Sequence, residues 1–384
     1  MIAERYRDAV ATVTAVAEVH AAGNDRHAVF PKEALHELRE TKLLGLLVPA
    51  EYGGPGGELD DLVDITIELG RHDLSVAMIF AMHCQQVRTL ACCAGPRLRA
   101  QVLPAVAEGE LYLASVTTEP STGAQLLVSG STTSLVAGQV VVDRMAPIVT
   151  GGSHADAFLI TVRSPDGSPN QVDLVYATAD QLTAEVTGTW DALGMRATES
   201  VPMHLAGAVP ATQIVSSHQD YRSIVATVFA PVAHLGWAAA WLGTALGAYS
   251  RVIGHIRGPA GRRGFDPGSD LLKTRLATCR ANLDVTHALL RHTARAIATD
   301  SDIARTGVQL LVNTLKTESA VRCFEVVHEL VELAGLRHGY LPDSPLRLER
   351  SFRDLRSASL NFGNDRLRLV NGSLALMDTR SDLV

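Results

Sequence analysis

Two histidines stand on runs of apolar residues, His83 in SVAMIFAMHCQQV and His234 in VFAPVAHLGW. An imidazole titrates close to neutrality and can move a proton, yet on an apolar helix it is more often a hydrogen-bonded core residue. Both roles stay open for each. Hydroxyls gather elsewhere: Ser115, Thr117 and Thr118 fall in LASVTTEPSTGA (residues 113–124), and Thr150 closes the run APIVT. A hydroxyl at the end of a strand either satisfies nearby backbone or meets a ligand. The five cysteines, Cys84, Cys92, Cys93, Cys279 and Cys323, are odd in number and have neither Cys-x-x-Cys nor Cys/His ligand spacing. A disulfide scaffold and a zinc site both fall away, and no metal is expected.

The elements that must position these groups follow from composition and period. With 384 residues, 47% apolar and 20% charged, the chain can bury two or three domains, and its net charge of −7 argues against a nucleic-acid binder. Aromatics are only 5%, and the Ala, Val and Leu content suits packed helices better than an all-β sandwich. Residues 1–110 repeat apolar positions at three and four, as in KEALHELRETK and DDLVDITIELGR. Between these lies a loop fixed by Pro49, Gly53, Gly54, Pro55, Gly56 and Gly57. Residues 111–216 are short strand-like runs such as QVVVDRM, AFLITVR and VDLVYAT. Helical period returns over 217–384.

The N-terminus carries Glu4, Arg5, Arg7 and Asp8 where a signal peptide would be apolar, so a cytoplasmic chain is expected. Residues 224–249 are long and apolar enough to span a bilayer, but they are crowded with small residues and include Pro231 and His234. They read as a core helix, which an apolar surface on all sides also requires, and no membrane span is expected.

That order of segments resembles the acyl-CoA dehydrogenase flavoprotein family over nearly the whole chain. The carrying motifs are GLLVPAEYGG (45–54), LASVTTEPSTGA (113–124), VTGGSHAD (149–156), LGMRATES (193–200) and RSFRDLRSA (350–358). The resemblance implies an α+β fold with an N-terminal helical domain, a small central β-barrel-like domain and a C-terminal four-helix bundle. It further implies FAD between the β domain and the bundles, and a homodimer or homotetramer. A flavin needs donors near N5 and O2 to stabilise its anionic reduced ring. In the family the residues matching Thr117 and Thr118 touch the ring, and the one matching Thr150 neighbours N5, a match anchored on Ala155 and Asp156. Ser115, Gly123 and Ile148 join the implied cofactor set, Ile148 standing where the family often stacks a Trp. Arg263 (or Arg262) and Phe265, in RGPAGRRGF, loosely match the Arg and Phe that a partner subunit lends from an R-x-x-F-G sequence.

Departures from the pattern bear on chemistry. Ala124 replaces a cofactor-holding serine, and Val331 replaces a glutamine. Acyl-thioester dehydrogenation needs a carboxylate to remove the α proton while hydride leaves the β carbon for flavin N5. Counted from Arg353-Asp354, the family's Glu falls on Phe362, and the alternative location near residues 231–234 holds no Asp or Glu. Phe362 is thus expected at the pocket position of the missing base, or as plain helix core. His83 lies where monooxygenase relatives keep a functional His. The leading expectation is α,β-dehydrogenation of an acyl thioester, with hydride passing to FAD. The alternatives are a monooxygenase or oxidase using reduced flavin and oxygen on a specialised small molecule, and a non-catalytic relative.

Overall fold

The computed structural model describes residues 2–121, 125–131, 133–165, 167–168, 170–259, 265–378 and 383–384. Gly123, Arg262 and Arg263 lie outside them. The N-terminal part is helical: α1 (Arg7–His27), α2 (Lys32–Glu40), α3 (Leu59–His72), α4 (Leu74–Cys93) and α5 (Pro96–Ala107). Local chemistry starts these helices. Glu58 and Asp61 form a capping box on α3, and Asp73 Oδ1 accepts from the Val76 amide at 3.1 Å to begin α4. α4 is buried on nearly all sides, with Cys92 near its end exposed, as suits a helix without a polar stripe.

The central part is β and, among the described residues, forms two sheets. Strands β1 (Leu113–Val116), β4 (Ala157–Arg163) and β5 (Val172–Thr178) make one, with β1 parallel to β4. The other is antiparallel in the order β2 (Ser134–Val136), β3 (Gln139–Val149), β7 (Val201–Pro210), β6 (Leu182–Val186). β3 alternates exposed and buried residues, and its inward side chains share one core with both sheets, including Val142, Phe158, Val175 and Leu205. The α+β class is therefore as expected.

The C-terminal part holds α6 (Tyr221–Ile224), a π turn (Val225–Phe229), α7 (Ala230–Arg257), α8 (Asp270–Thr299), α9 (Thr306–Gly335), α10 (Leu348–Arg356) and α11 (Asn364–Met377). Pro231 has no N–H to give the Ala226 carbonyl in a π register, and Gln309 Nε2 donates to that oxygen instead at 2.9 Å. Small residues set the depth of α7. A side chain at Gly243 or Gly247 would strike the Ile67 or Arg71 carbonyl of α3. Thr244 Oγ1 donates to the Gly70 carbonyl at 3.1 Å. The segment Tyr221–Arg257 is long and apolar enough to cross a membrane, yet 61% of its apolar window is buried inside the protein. Its neighbours are α3, α4, α8 and α9 of the same chain, so its apolar surface does not by itself demand a second subunit.

Two of the sequence motifs meet in space. Asp354 Oδ1 accepts from the Met195 amide at 2.7 Å, Arg353 donates to the Leu193 carbonyl and pairs with Asp25, and a side chain at Gly194 would strike the Arg353 carbonyl. The loop before β7 is thereby fixed against α10.

Candidate functional site

A cavity of about 230 Å³ opens where α4, the ends of β1 and β3, the segment 190–200, the start of α7 and the turn after α10 converge. Its two halves differ. On the β side, Ser115, Thr117, Thr118, Ile148 and Thr150 line it with Trp190, Thr198 and Ser200. Hydroxyls there form a chain: Thr150 Oγ1 lies 2.9 Å from Ser200 Oγ, which lies 2.8 Å from Thr198 Oγ1, which donates to the Met195 carbonyl at 2.8 Å. Trp190 Nε1 donates to the same carbonyl at 3.0 Å. Ser115 and Thr117 line the cavity and make no side-chain hydrogen bond among the described residues. Thr118 differs: its hydroxyl accepts from the Ile148 amide at 3.2 Å and donates to the Ile148 carbonyl at 3.0 Å. It shapes the cavity by tying the end of β1 to β3.

The helical half is mainly apolar, walled by Met78, Met82, Phe229, Trp237 and Phe362, with Gln85, Asn361 and His234 set among them. Phe362 belongs to the turn between α10 and α11, with φ of 49°, and so is cavity wall rather than helix interior. Its ring lies 6.1 Å from that of His234 and has the Arg366 guanidinium 5.2 Å from its centroid. Lys316, fully buried on α9, fixes this turn by donating to Asn364 Oδ1 at 2.7 Å and to the Ala358 carbonyl at 3.2 Å. Burial, helped by Arg368, lowers its pKa to about 7. Burial first, and then the Lys316 charge, lowers that of His234 to about 3.

His83 does not reach the cavity. Its Nε2 lies 2.9 Å from the Leu44 carbonyl, its Nδ1 accepts from the Leu113 amide at 3.0 Å, and its ring stacks on Tyr112. Both nitrogens are occupied and burial lowers its pKa to about 4, so the expected catalytic role is replaced by that of a clamp between the residue-44 loop, α4 and β1. Phe265 packs edge-on against His255, about 30 Å along α7 from His234, and does not line this chain's cavity.

Ser200, Thr198 and Trp190 are not distinguished by type or spacing in the sequence, although the first two sit in the motif 193–200 and Trp190 just before it. The Glu of TTEP is buried and pairs with Arg144, which also donates to the Thr118 carbonyl at 3.1 Å and to Thr161 Oγ1 at 3.1 Å. An arginine in an alternating strand carries no local sign of facing inward. No Asp or Glu lines the cavity among the described residues, and His234 is its only titratable imidazole, ammonium or carboxylate group there.

A helical, β, helical chain with a hydroxyl-lined cavity where the three parts meet defines a class that the comparisons identify. Models of the acyl-CoA dehydrogenase N-terminal domain and the acyl-CoA dehydrogenase C-terminal domain match residues 1–110 and 225–371. The chain belongs to the acyl-CoA dehydrogenase family of flavoenzymes. Its curated relatives include dibenzothiophene monooxygenase of Rhodococcus erythropolis, 26% identical over 243 residues (59% of this chain, 57% of that one). L-evernosamine nitrososynthase of a Micromonospora species is 35% identical over 202 residues (50% and 46%). The chain spans about half the length of these curated relatives. TdsC of Paenibacillus sp. A11-2, solved with FMN and indole, shares the fold at a TM-score of 0.85 and 21% identity, with 98% of each chain covered. Butyryl-CoA dehydrogenase of Megasphaera elsdenii superposes as well, at 0.86 and 17%, covering 98% and 99%. The fold is thus shared by both chemistries, and the site must separate them.

Proposed function

We propose that the chain is a flavin-dependent monooxygenase acting on a small, largely apolar molecule. One observation carries this reading: the described cavity lining holds no carboxylate, so α-proton removal has no base, while oxygen transfer needs none. Ser115 and Thr117, with free hydroxyls, suit a flavin ring, and the Thr150–Ser200–Thr198 chain, in which each hydroxyl donates to the next, offers it an oriented acceptor in Thr150 Oγ1. Trp190 and Ile148 form flanks of the same wall. When bound in reduced form, the flavin would supply the two electrons that split oxygen between substrate and water. The residues of this chain would orient and seal: hydroxyls on the β side, and Met82, Phe229, Trp237 and Phe362 excluding water on the other. TdsC, with its FMN, supports a diffusible mononucleotide, as does the lack of an R-x-x-F-G sequence here; FAD is the alternative.

The test has two arms. Under anaerobic conditions acyl-CoA thioesters should leave the protein-bound oxidised flavin unbleached. Reduced flavin with oxygen should give an oxygenated product from an aromatic or amine panel. Bleaching by an acyl-CoA would return the reading to dehydrogenation. We further propose a homo-oligomer, supported by exposed apolar side chains on α11, Leu369, Leu376 and Met377; a monomer at micromolar concentration in light scattering would overturn it.

A further inference from the structure

Two polar groups of the helical half-cavity are buried without a hydrogen-bond partner among the described residues, the Trp237 indole N–H and the His234 imidazole, and of the two only the imidazole carries a lone pair that can accept. His234 is 2% exposed, and its Nδ1, itself buried, has no hydrogen-bond partner among the described residues. The backbone acceptor beside it is the Val312 carbonyl of α9, which can face the ring N–H but cannot serve its lone pair. The nearby cation, Lys316, directs two of its three N–H groups to Asn364 and Ala358. The amide of Gln85 donates through Nε2 to the Phe229 carbonyl at 2.9 Å. Among the described residues no donor hydrogen-bonds to the ring. Its burial keeps it neutral, with one N–H and one lone pair. A buried acceptor without a donor is unfavourable, and native structures rarely keep one without a use.

We propose that His234 is a specificity residue in contact with substrate, its lone pair accepting a hydrogen bond from an N–H or O–H, so that the substrate is an apolar, ring-sized molecule with one such donor, such as an amine, an indole-type N–H or a phenol. The surrounding walls agree. Met82, Phe229, Trp237 and Phe362 offer apolar contact, and His234 is the acceptor set among them. The identification of the bound molecule as substrate rests on the monooxygenase reading; the binding preference does not.

Matched ligands test it: indole against 1-methylindole, and 2-naphthol against 2-methoxynaphthalene, each pair differing by a methyl in place of the donor hydrogen. Affinities are measured by calorimetry on the full chain with oxidised flavin, so that no turnover intervenes. In the unaltered protein the donor member should bind about tenfold tighter than its twin, the scale of one hydrogen bond in a dry site. His234→Leu should bring the ratio close to one without weakening the methylated member, and His234→Gln, whose amide oxygen accepts, should keep part of it. Should His234→Leu fail to fold, the wild-type ratio and its partial retention in His234→Gln decide, together with a shift of the His234 ring ¹⁵N resonance on adding indole but not 1-methylindole. Equal affinity within both pairs, including no detectable binding of either member, overturns the proposal, as does a ratio that survives His234→Leu. Failure of oxygenation with the ratio intact would remove the proposed function and leave the binding assignment standing.

Discussion

His83 and His234 begin from the same description, a lone imidazole on an apolar helix, and end in opposite situations. The first has a carbonyl on one nitrogen and an amide on the other and lies away from the cavity; the second lines the cavity with its Nδ1 unpartnered among the described residues. The helix bearing each residue does not decide this. His83 meets Leu113 at the start of β1, where a strand amide arrives without another acceptor. His234 follows a π turn and a proline, where α7 faces the turn holding Phe362 rather than a strand. The lesson is that the ends of neighbouring elements assign the role. His83 still matters to the site indirectly, because the strand it clamps leads to Ser115 and Thr117.

The largest expected effect breaks the clamp. His83→Leu removes two hydrogen bonds and leaves the buried Leu113 N–H and Leu44 C=O without partners, a loss of about 3 kcal/mol. His234→Leu removes an unsatisfied group and should change stability by less than about 1 kcal/mol. Urea denaturation of the two variants checks this. Equal losses would erase the distinction between clamp and ligand-facing residue.

Acid sharpens the same comparison. The folded-state pKa of His83 is lowered to about 4 by burial, so the unfolded chain takes up a proton below about 6.5 that the native chain refuses. Stability tied to His83 is therefore full above pH 6.5 and falls by about 1.4 kcal/mol per pH unit down to about pH 4. Asp354, raised to about 7 mainly by burial, acts with the opposite sign and loses stability as pH rises, so a wild-type profile alone would mix the two. The difference between wild type and His83→Gln isolates the histidine. The advantage of the wild type should shrink steadily from pH 6.5 to 4; a constant difference would mean that His83 is protonated in the fold.

Much of this was legible beforehand, for identifiable reasons. Hydrophobic period separated helical from strand-rich parts because each part buries one kind of face. The motifs at 193–200 and 350–358 stood out through the family resemblance, and their contact in the structure is built from backbone, glycine and charge, as Gly194, Arg353 and Asp354 show. Ser200 was not singled out because its role depends on the pairing of β3 with β7, which brings Val201 opposite Val149 and hence Ser200 beside Thr150. Choosing between the histidines required contacts 39 and 30 residues away in the chain, and no local pattern encodes those.

A moderate effect is expected at the hydroxyl chain. Thr150→Val leaves the fold nearly unchanged but removes the group that Ser200 holds toward the cavity, and should weaken flavin binding about five- to tenfold, the scale of one hydrogen bond. Thr118→Val should act differently, costing about 1 kcal/mol of stability, because its hydroxyl serves Ile148. Flavin titration beside a melting curve separates them, and identical behaviour would mean that Thr150 is only structural.

The smallest effect on stability should come from Phe362. A bulky side chain at φ of 49° sits in the left-handed region, at a cost of about 1–2 kcal/mol that glycine does not bear. The half-buried ring contributes apolar contact of about the same size, so Phe362→Gly should leave stability within about 1 kcal/mol of the wild type. Binding should respond more. Without the ring, the wall beside His234 opens to water, and a water that hydrogen-bonds the imidazole competes with any ligand donor. Affinity for a donor-bearing ligand should therefore fall more than affinity for its methylated twin, a difference that calorimetry reads directly. A loss above about 3 kcal/mol in denaturation, with the ligand ratio unchanged, would instead make Phe362 ordinary core and detach it from His234.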